Sequence, residues 1–378
     1  MSAADGVIVG TTKLVDHGPD SARWNLVLLA EGYQQAELPK FHADADAFVT
    51  RLFSTSPYTE LWCALNIYRV DVASTDSGAD DTAGCTDGPP GTGTGAAVNT
   101  YFDARFCFDG STRRLLAGDQ DLANDTAKAQ VPAKNAVVVI VNTAEYGGSG
   151  GLVAWASTNA QSGEIAIHEL GHSAFSLGDE YGDIYNMYAG GEPDELNLTM
   201  DTNRATTRWA SLIRAGTPVP TLTNPDCTTE NPAPSPGPAG TVGLFEGGNR
   251  YHCGLFHAEY ACRMRVLGNA FCAVCTDRIR ATLRQHLPVA SGPVRGTQFT
   301  GTLAPRQTHQ WFTHDWPACW HVIWTVGTTT PVTPGPGIAW HVRVERATRE
   351  TITYWIEITN LTATSLDIEA RYAVAAKD

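Results

Sequence analysis

The chain has 378 residues, with 40 Asp+Glu against 26 Lys+Arg, a net charge of −14, a hydrophobic fraction of 43% and a charged fraction of 17%. That is the composition of a folded globular protein, and at roughly 100–200 residues per domain its length points to two domains. No apolar run approaches the roughly 20 residues that span a bilayer, and the acidity repels a phosphate backbone, so membrane insertion and general nucleic-acid binding are excluded.

Taken in chain order, Trp24–Ala30 (WNLVLLA) is a short apolar run closed by Glu31-Gly32 and reads as a buried strand. Leu38, Phe41, Ala45, Phe48, Val49 and Leu52 recur at three- and four-residue steps, which predicts an amphipathic helix over 37–53. Asn66–Val72 reads as a strand, 74–96 as loop, Val137–Val141 as a buried strand and Tyr146–Gly151 (YGGSGG) as a turn. A strand over 152–157, a helix from about Gly163 and a helix over 201–214 follow, so the expected core is α/β or α+β. Asn224–Gly243 holds five prolines and is a loop.

Beyond Thr297, β-branched and aromatic residues dominate, with strands expected at 321–326, 339–345, 351–359 and 365–374, which suggests a β-sandwich. Residues 291–378 carry seven basic and seven acidic residues, so the whole −14 lies in 1–290. Six of the ten tryptophans also fall in this tail. Both shifts place a domain boundary near 290, giving domains 1–290 and 291–378. The six tryptophans read either as core or as a glycan- or protein-binding face. Nine cysteines favour an oxidising, secreted setting, whereas Met1–Gly10 lacks a basic n-region and an apolar h-region. Asp76–Asp81 (DSGADD) lacks EF-hand spacing and reads as an acidic turn rather than a calcium loop. Asn197 and Asn360 head glycosylation sequons.

The chemistry is concentrated in Glu164–Tyr181 (EIAIHELGHSAFSLGDEY), which contains HExxH at His168–His172. Residues four apart on a helix differ by about 40° around the axis, so both imidazoles reach one zinc ion at about 2.0–2.1 Å. Glu169 lies about 100° around from His168, beside the metal rather than aimed at it, as a general base acting on zinc-activated water requires. A catalytic zinc needs a third protein ligand. On a continuing helix Asp179 would lie about 10 Å further along the axis, too far to share the ion. Gly178 offers a stop where the chain can fold back, which makes Asp179 the candidate ligand and Glu180 its nearest competitor. The bland alternative is that this acidic pair caps or ion-pairs the next segment.

HELGHSAFSLGDEY resembles the active-site signature of the IgA-peptidase (igalysin) family of zinc metallopeptidases. Asn25–Tyr33, Phe41–Phe53, Asn66–Val72, Tyr146–Gly151, Asn197–Trp209 and Cys262–Cys275 resemble further family segments in the same order, covering about 20–290. The resemblance implies a metzincin-like endopeptidase acting on polypeptides, with one catalytic zinc held by His168, His172 and a downstream acidic residue, and with Met264 forming a Met-turn beneath it. The usual metzincin pattern has glycine three residues and a ligand six residues after the second histidine; here those positions are Phe175 and Gly178.

Tyr181 and Tyr260 are candidate donors to a tetrahedral oxyanion, each with a structural role as the alternative. Gly150 and Gly151 belong to a stretch able to pair with an extended substrate, or to an ordinary turn. Cys253, Cys262, Cys272 and Cys275 contain only one CxxC, so the paired spacing of a structural zinc is missing. Disulfides clamping the loop around Met264 are the preferred reading, ahead of free thiols and a metal cluster. The expected activity is zinc-dependent peptide hydrolysis; the rivals are a zinc hydrolase of a non-protein amide or ester and a glycan- or protein-binding role through the C-terminal domain.

Overall fold

The computed structural model describes residues 5–85, 91–287, 294–348 and 351–375. The chain divides into two compact units, 1–287 and 288–378. The boundary expected at 290–291 lies outside the described residues.

The first unit runs β1 (Gly6–Val15), β2 (Trp24–Glu31), α1 (Leu38–Phe53), α2 (Tyr58–Leu61), β3 (Leu65–Ser74), α3 (Gln120–Gln130), β4 (Lys134–Val141), β5 (Gly148–Ser149), β6 (Ala154–Ser157) and α4 (Ser162–Phe175). It continues with β7 (Gly182–Met187), β8 (Leu198–Thr199), β9 (Val242–Gly248), β10 (Arg250–Glu259) and α5 (Ala273–Leu283). A six-stranded sheet has the order β1-β3-β2-β4-β6-β5. β2 pairs in parallel with both β3 and β4, and all eight of its residues are buried. Helix cover on a parallel sheet explains why this strand is continuously apolar rather than alternating. The six periodic positions of α1 are its buried ones. α4 packs against β6 and β4 beside α1, so the motif helix rests on the sheet's C-terminal half.

A second, four-stranded sheet has the order β7-β10-β8, with β9 also pairing with β10. Two disulfides form among the described residues, Cys85–Cys107 and Cys227–Cys253; the latter ties the Pro-rich loop to β10. Residues 201–214 are not the expected α-helix: they form turns with one 3-10 turn at Ala210–Leu212. Asp201 and Asn203 accept from the backbone N–H groups of Asn203 and Ala205 (2.8 and 2.9 Å), local bonds that compete with helical ones. In the acidic turn, Asp81 is buried and pairs with the buried Arg113, so it is not a solvated carboxylate. Both sequon asparagines are fully buried. No helix among the described residues is long and apolar enough to cross a membrane.

The second unit comprises β11 (Arg295–Leu303), β12 (Thr308–Pro317), β13 (His321–Thr328), β14 (Ile338–Glu345), β15 (Thr351–Asn360) and β16 (Leu366–Ala375). They form two three-stranded antiparallel sheets, β11-β16-β13 and β12-β15-β14, sharing one core. Trp316 and Trp324 lie in that core and Trp311 and Trp320 pack against it, leaving Trp340 exposed and Trp355 half-buried. Most of the tryptophan enrichment therefore serves packing, because a sandwich this small has few other ways to fill its interior.

Glu31, fully buried at the C-terminal end of β2, accepts from Thr100 Oγ1 (2.5 Å), Phe102 N (3.0 Å) and Ala104 N (2.9 Å), and so anchors the segment after the long loop. Burial pushes its carboxyl up to about 7, against the pull of those three donors. An amide cannot accept on both atoms, so Glu31→Gln is expected to lower stability by about 1–3 kcal/mol at pH 5, measured by urea unfolding. A raised folded pKa means stability is fully present below the unfolded value near 4.5 and is lost as pH rises through about 7. The gap between wild type and Glu31→Gln is therefore expected to narrow by pH 8.

Candidate metal centre

α4 carries Ile165, Ile167 and Leu170 into the core, which fixes the rotation of the helix and aims its two histidines at one point. His168 Nδ1–H donates to the Arg263 carbonyl (3.0 Å) and His172 Nδ1–H to the Leu177 carbonyl (2.6 Å). A carbonyl can only accept, so each Nε2 is left as the lone-pair atom facing the site. The two Nε2 atoms lie 3.1 Å apart.

The helix ends earlier than Gly178. Phe175 is its last residue, and Ser176 adopts the left-handed conformation (φ 54°, ψ 46°), with Leu177 N donating to Gly171 O (3.1 Å). This cap reverses the chain. Gly178 instead forms a tight crossing point. Its N–H and C=O are both held by the buried Asn197 side chain (2.8 and 2.9 Å), and a Cβ there would come within 2.6 Å of Leu198 and Asn249. The reversal brings Asp179 Oδ1 to 3.2 Å from His168 Nε2 and 3.3 Å from His172 Nε2. Glu180 points elsewhere, its Oε1 accepting from Asn197 Nδ2 (2.9 Å) among the sulfurs of Cys272 and Cys275.

Three lone-pair atoms converging on one buried point require protons or a cation. Burial alone would lower the His172 pKa, but Asp179 and Glu169 outweigh it and push the imidazole up to about 9. Asp179, against its own burial, is held well below the usual carboxylate range by the two histidines. The separations of 3.1–3.3 Å approach the edges of about 3.3–3.4 Å set by a tetrahedral ion with ligands near 2.0–2.1 Å, so the residues fit a zinc-sized cation. Glu169 stands beside the trio, Oε2 4.0 Å from His172 Nε2, its pKa raised by burial against the pull of both histidines.

The trio opens into a cleft of about 670 Å³ that is also lined by Arg114, Tyr146, Gly150, Gly151, Tyr181, Asp183 and Arg250. Gly150 passes so close that a Cβ would meet His172 Cβ at 2.5 Å, which is reason enough for glycine there. The outer edge of β5 at Gly148 already bridges to Leu115, so a strand-like partner meets an occupied edge at that residue. Tyr181 lines the cleft, whereas Tyr260 does not: its hydroxyl donates to Ala233 O (3.0 Å). Arg114 and Arg250 both pair with Asp183 (2.7 and 3.0 Å), and none of the three stands out in sequence. Tyr146 opens the glycine-rich YGGSGG stretch, but nothing in that local pattern signals its place near Glu169.

Met264 is fully buried beneath the motif helix, its carbonyl accepting from Glu180 N (2.8 Å). The expected disulfide clamp is absent. Cys253 pairs with Cys227, while Cys262, Cys272 and Cys275 remain buried thiols. Cys262 and Cys275 Sγ atoms are 3.9 Å apart, far beyond the bond length of about 2.05 Å.

The helix-borne HExxH and the returning carboxylate are arranged so that they could hold a metal ion, and the family comparison makes the chain a metallopeptidase. The profile of the family described as IgA Peptidase M64 matches residues 12–234, more than half of the chain, and the chain belongs to that family. No curated protein matches it significantly. Membership makes the substrate a polypeptide.

A Cβ on Gly171 would lie 2.8 Å from Met264 Sδ and 3.2 Å from its Cε. Gly171→Ala is therefore expected to destabilise by about 1–3 kcal/mol through overpacking, although alanine is the better helix former. Adding Met264→Ala should relieve part of that penalty, so a double-mutant cycle by chemical denaturation should show clear non-additivity.

Proposed function

We propose that the chain is a zinc-dependent endopeptidase of metzincin-like layout, with His168, His172 and Asp179 as the ligands of one catalytic ion and Glu169 as general base and acid. The observation that carries this reading is the convergence of two Nε2 atoms and one carboxylate oxygen within 3.1–3.3 Å at the floor of the cleft, with Glu169 alongside. When bound, zinc supplies Lewis acidity that polarises the scissile carbonyl and lowers the pKa of the attacking water.

The side chains do the rest. Burial raises the proton affinity of Glu169, which suits it to take the proton of the attacking water and then deliver it to the departing amine nitrogen. Tyr181, whose hydroxyl is kept protonated by burial and by Asp179, is the donor proposed for the developing oxyanion. Arg114, hydrogen-bonded to Asp183, holds a positive charge at the same wall. Met264, packed against Gly171, supports the histidines from below.

Glu169→Ala is expected to retain zinc and lose turnover of casein by about 10²–10⁴-fold, the range for a positioned proton-transfer group. A variant that remains active would remove Glu169 from this role. Asp179→Ala should lose catalytic zinc, measured as metal content; full occupancy with intact activity would show that Asp179 is not a ligand. Chelation of the wild type should abolish casein digestion, and digestion that persists would sink the metal-dependent reading.

A further inference from the structure

The peptidase site leaves one group of chemically active side chains unused. Cys262, Cys272, Cys275 and Glu180 are all buried, and their three Sγ atoms and one carboxylate oxygen lie within 4.8 Å of one another. Sγ of Cys262 is 3.9 Å from Sγ of Cys275, and Glu180 Oε1 is 3.3 Å from Sγ of Cys275 and 3.6 Å from Sγ of Cys272. A tetrahedral zinc with Zn–S near 2.3 Å and Zn–O near 2.0 Å sets edges of about 3.8 Å between sulfurs and about 3.5 Å from sulfur to oxygen. The Cys262–Cys275, Glu180–Cys275 and Glu180–Cys272 separations lie close to those edges, and the remaining ones are within 4.8 Å.

Two further features separate this group from ordinary buried thiols. Backbone N–H groups point at the sulfurs: Met264 N and Cys272 N at Cys262 Sγ (3.5 and 3.3 Å), and Cys275 N at Cys272 Sγ (3.4 Å). Such donors stabilise thiolate charge. In addition, the Glu180 carboxylate is fully buried, and its Oε2 makes no hydrogen bond. His257 Nδ1 lies 3.6 Å from that oxygen, but its Nδ1–H is engaged by the Glu259 carbonyl (2.8 Å). A buried carboxyl group either keeps its proton or needs a cation, and a divalent ion shared with thiolates meets that need.

We propose that Cys262, Cys272, Cys275 and Glu180 bind a second, structural zinc ion, distinct from the one held by the histidines. Four protein ligands leave it closed to substrate, and the soft sulfur set selects zinc over magnesium or calcium. Uptake displaces the thiol protons to solvent, with no change of oxidation state. The ion links Glu180, next to Asp179, with Cys262, two residues before Met264, and so pins the acidic segment to the turn under α4. The cysteine block lies beyond the stretch matched by the family profile. The proposal stands independently of the peptidase reading.

The test is zinc content of the full chain by mass spectrometry, together with cobalt substitution. His168→Ala/His172→Ala is expected to retain one zinc per chain, and Cys272→Ser/Cys275→Ser in that background to retain none. With Co²⁺ in the unmutated chain, a thiolate-to-cobalt charge-transfer band is expected. Of the two proposed sites only the second can produce it, because the histidine site has no sulfur, and this readout remains valid if a variant fails to fold. One zinc in wild type that survives the histidine substitutions supports this site and counts against the catalytic ion. One zinc that is lost with them, with no charge-transfer band, overturns this site and leaves the catalytic ion standing. Non-reducing peptide mapping that finds a disulfide among the three cysteines also overturns it.

Discussion

Two adjacent carboxylates, Asp179 and Glu180, face opposite ways, and the chain reversal that arranges this governs most of what the first unit does. The helix carrying the histidines stops at Phe175 because Ser176 takes a left-handed conformation. Asn197 then clamps Gly178 by both backbone groups and reaches Glu180 with the same amide. In an extended segment successive residues point to opposite sides. Clamping the backbone just before them therefore commits Asp179 to the imidazoles and Glu180 to the sulfurs at once.

That constraint is met from the other side by the turn around Met264. The Arg263 carbonyl fixes the orientation of His168, the Met264 carbonyl receives Glu180 N–H, and the Met264 side chain fills the space left by Gly171. Arg263 itself is held by Glu164 at the start of α4. The motif helix, the acidic segment and the Met264 turn thus form a closed ring of contacts. A metal ligand set of the kind proposed tolerates little positional error, and such support from neighbouring groups would keep it in register. The proposed second ion at the cysteines would tighten that ring.

Local pattern carried far in this chain where burial was one-sided and continuous. The six apolar positions of α1 are its six buried ones, and the apolar runs of β2 and β4 are central parallel strands. It failed where side chains bond their own backbone, as at 201–214, where Asx bonds displace the helix that the composition suggested. It was also silent about Arg114, Asp183 and Arg250: Asp183 and Arg250 meet across the paired strands β7 and β10, and Arg114 reaches Asp183 from a loop far away in sequence. The sequons point the same way. Asn197 and Asn360 match the pattern, yet both are buried, and their side-chain amides are taken up by hydrogen bonds that serve the fold.

The sequence by itself determined that His168 and His172 share one helix face with Glu169 beside them, because spacing along a helix is local geometry that any packing preserves. It also determined the family, through motifs spread along the chain. Which acidic residue returns to the histidines, and whether the cysteines cross-link or gather, were decided only by the tertiary structure. Both depend on groups far apart in sequence: Asn197 acts on Gly178, and Glu180 meets cysteines more than eighty residues downstream. A single CxxC looked incomplete because the other two members of the group, Cys262 and Glu180, lie elsewhere in the chain.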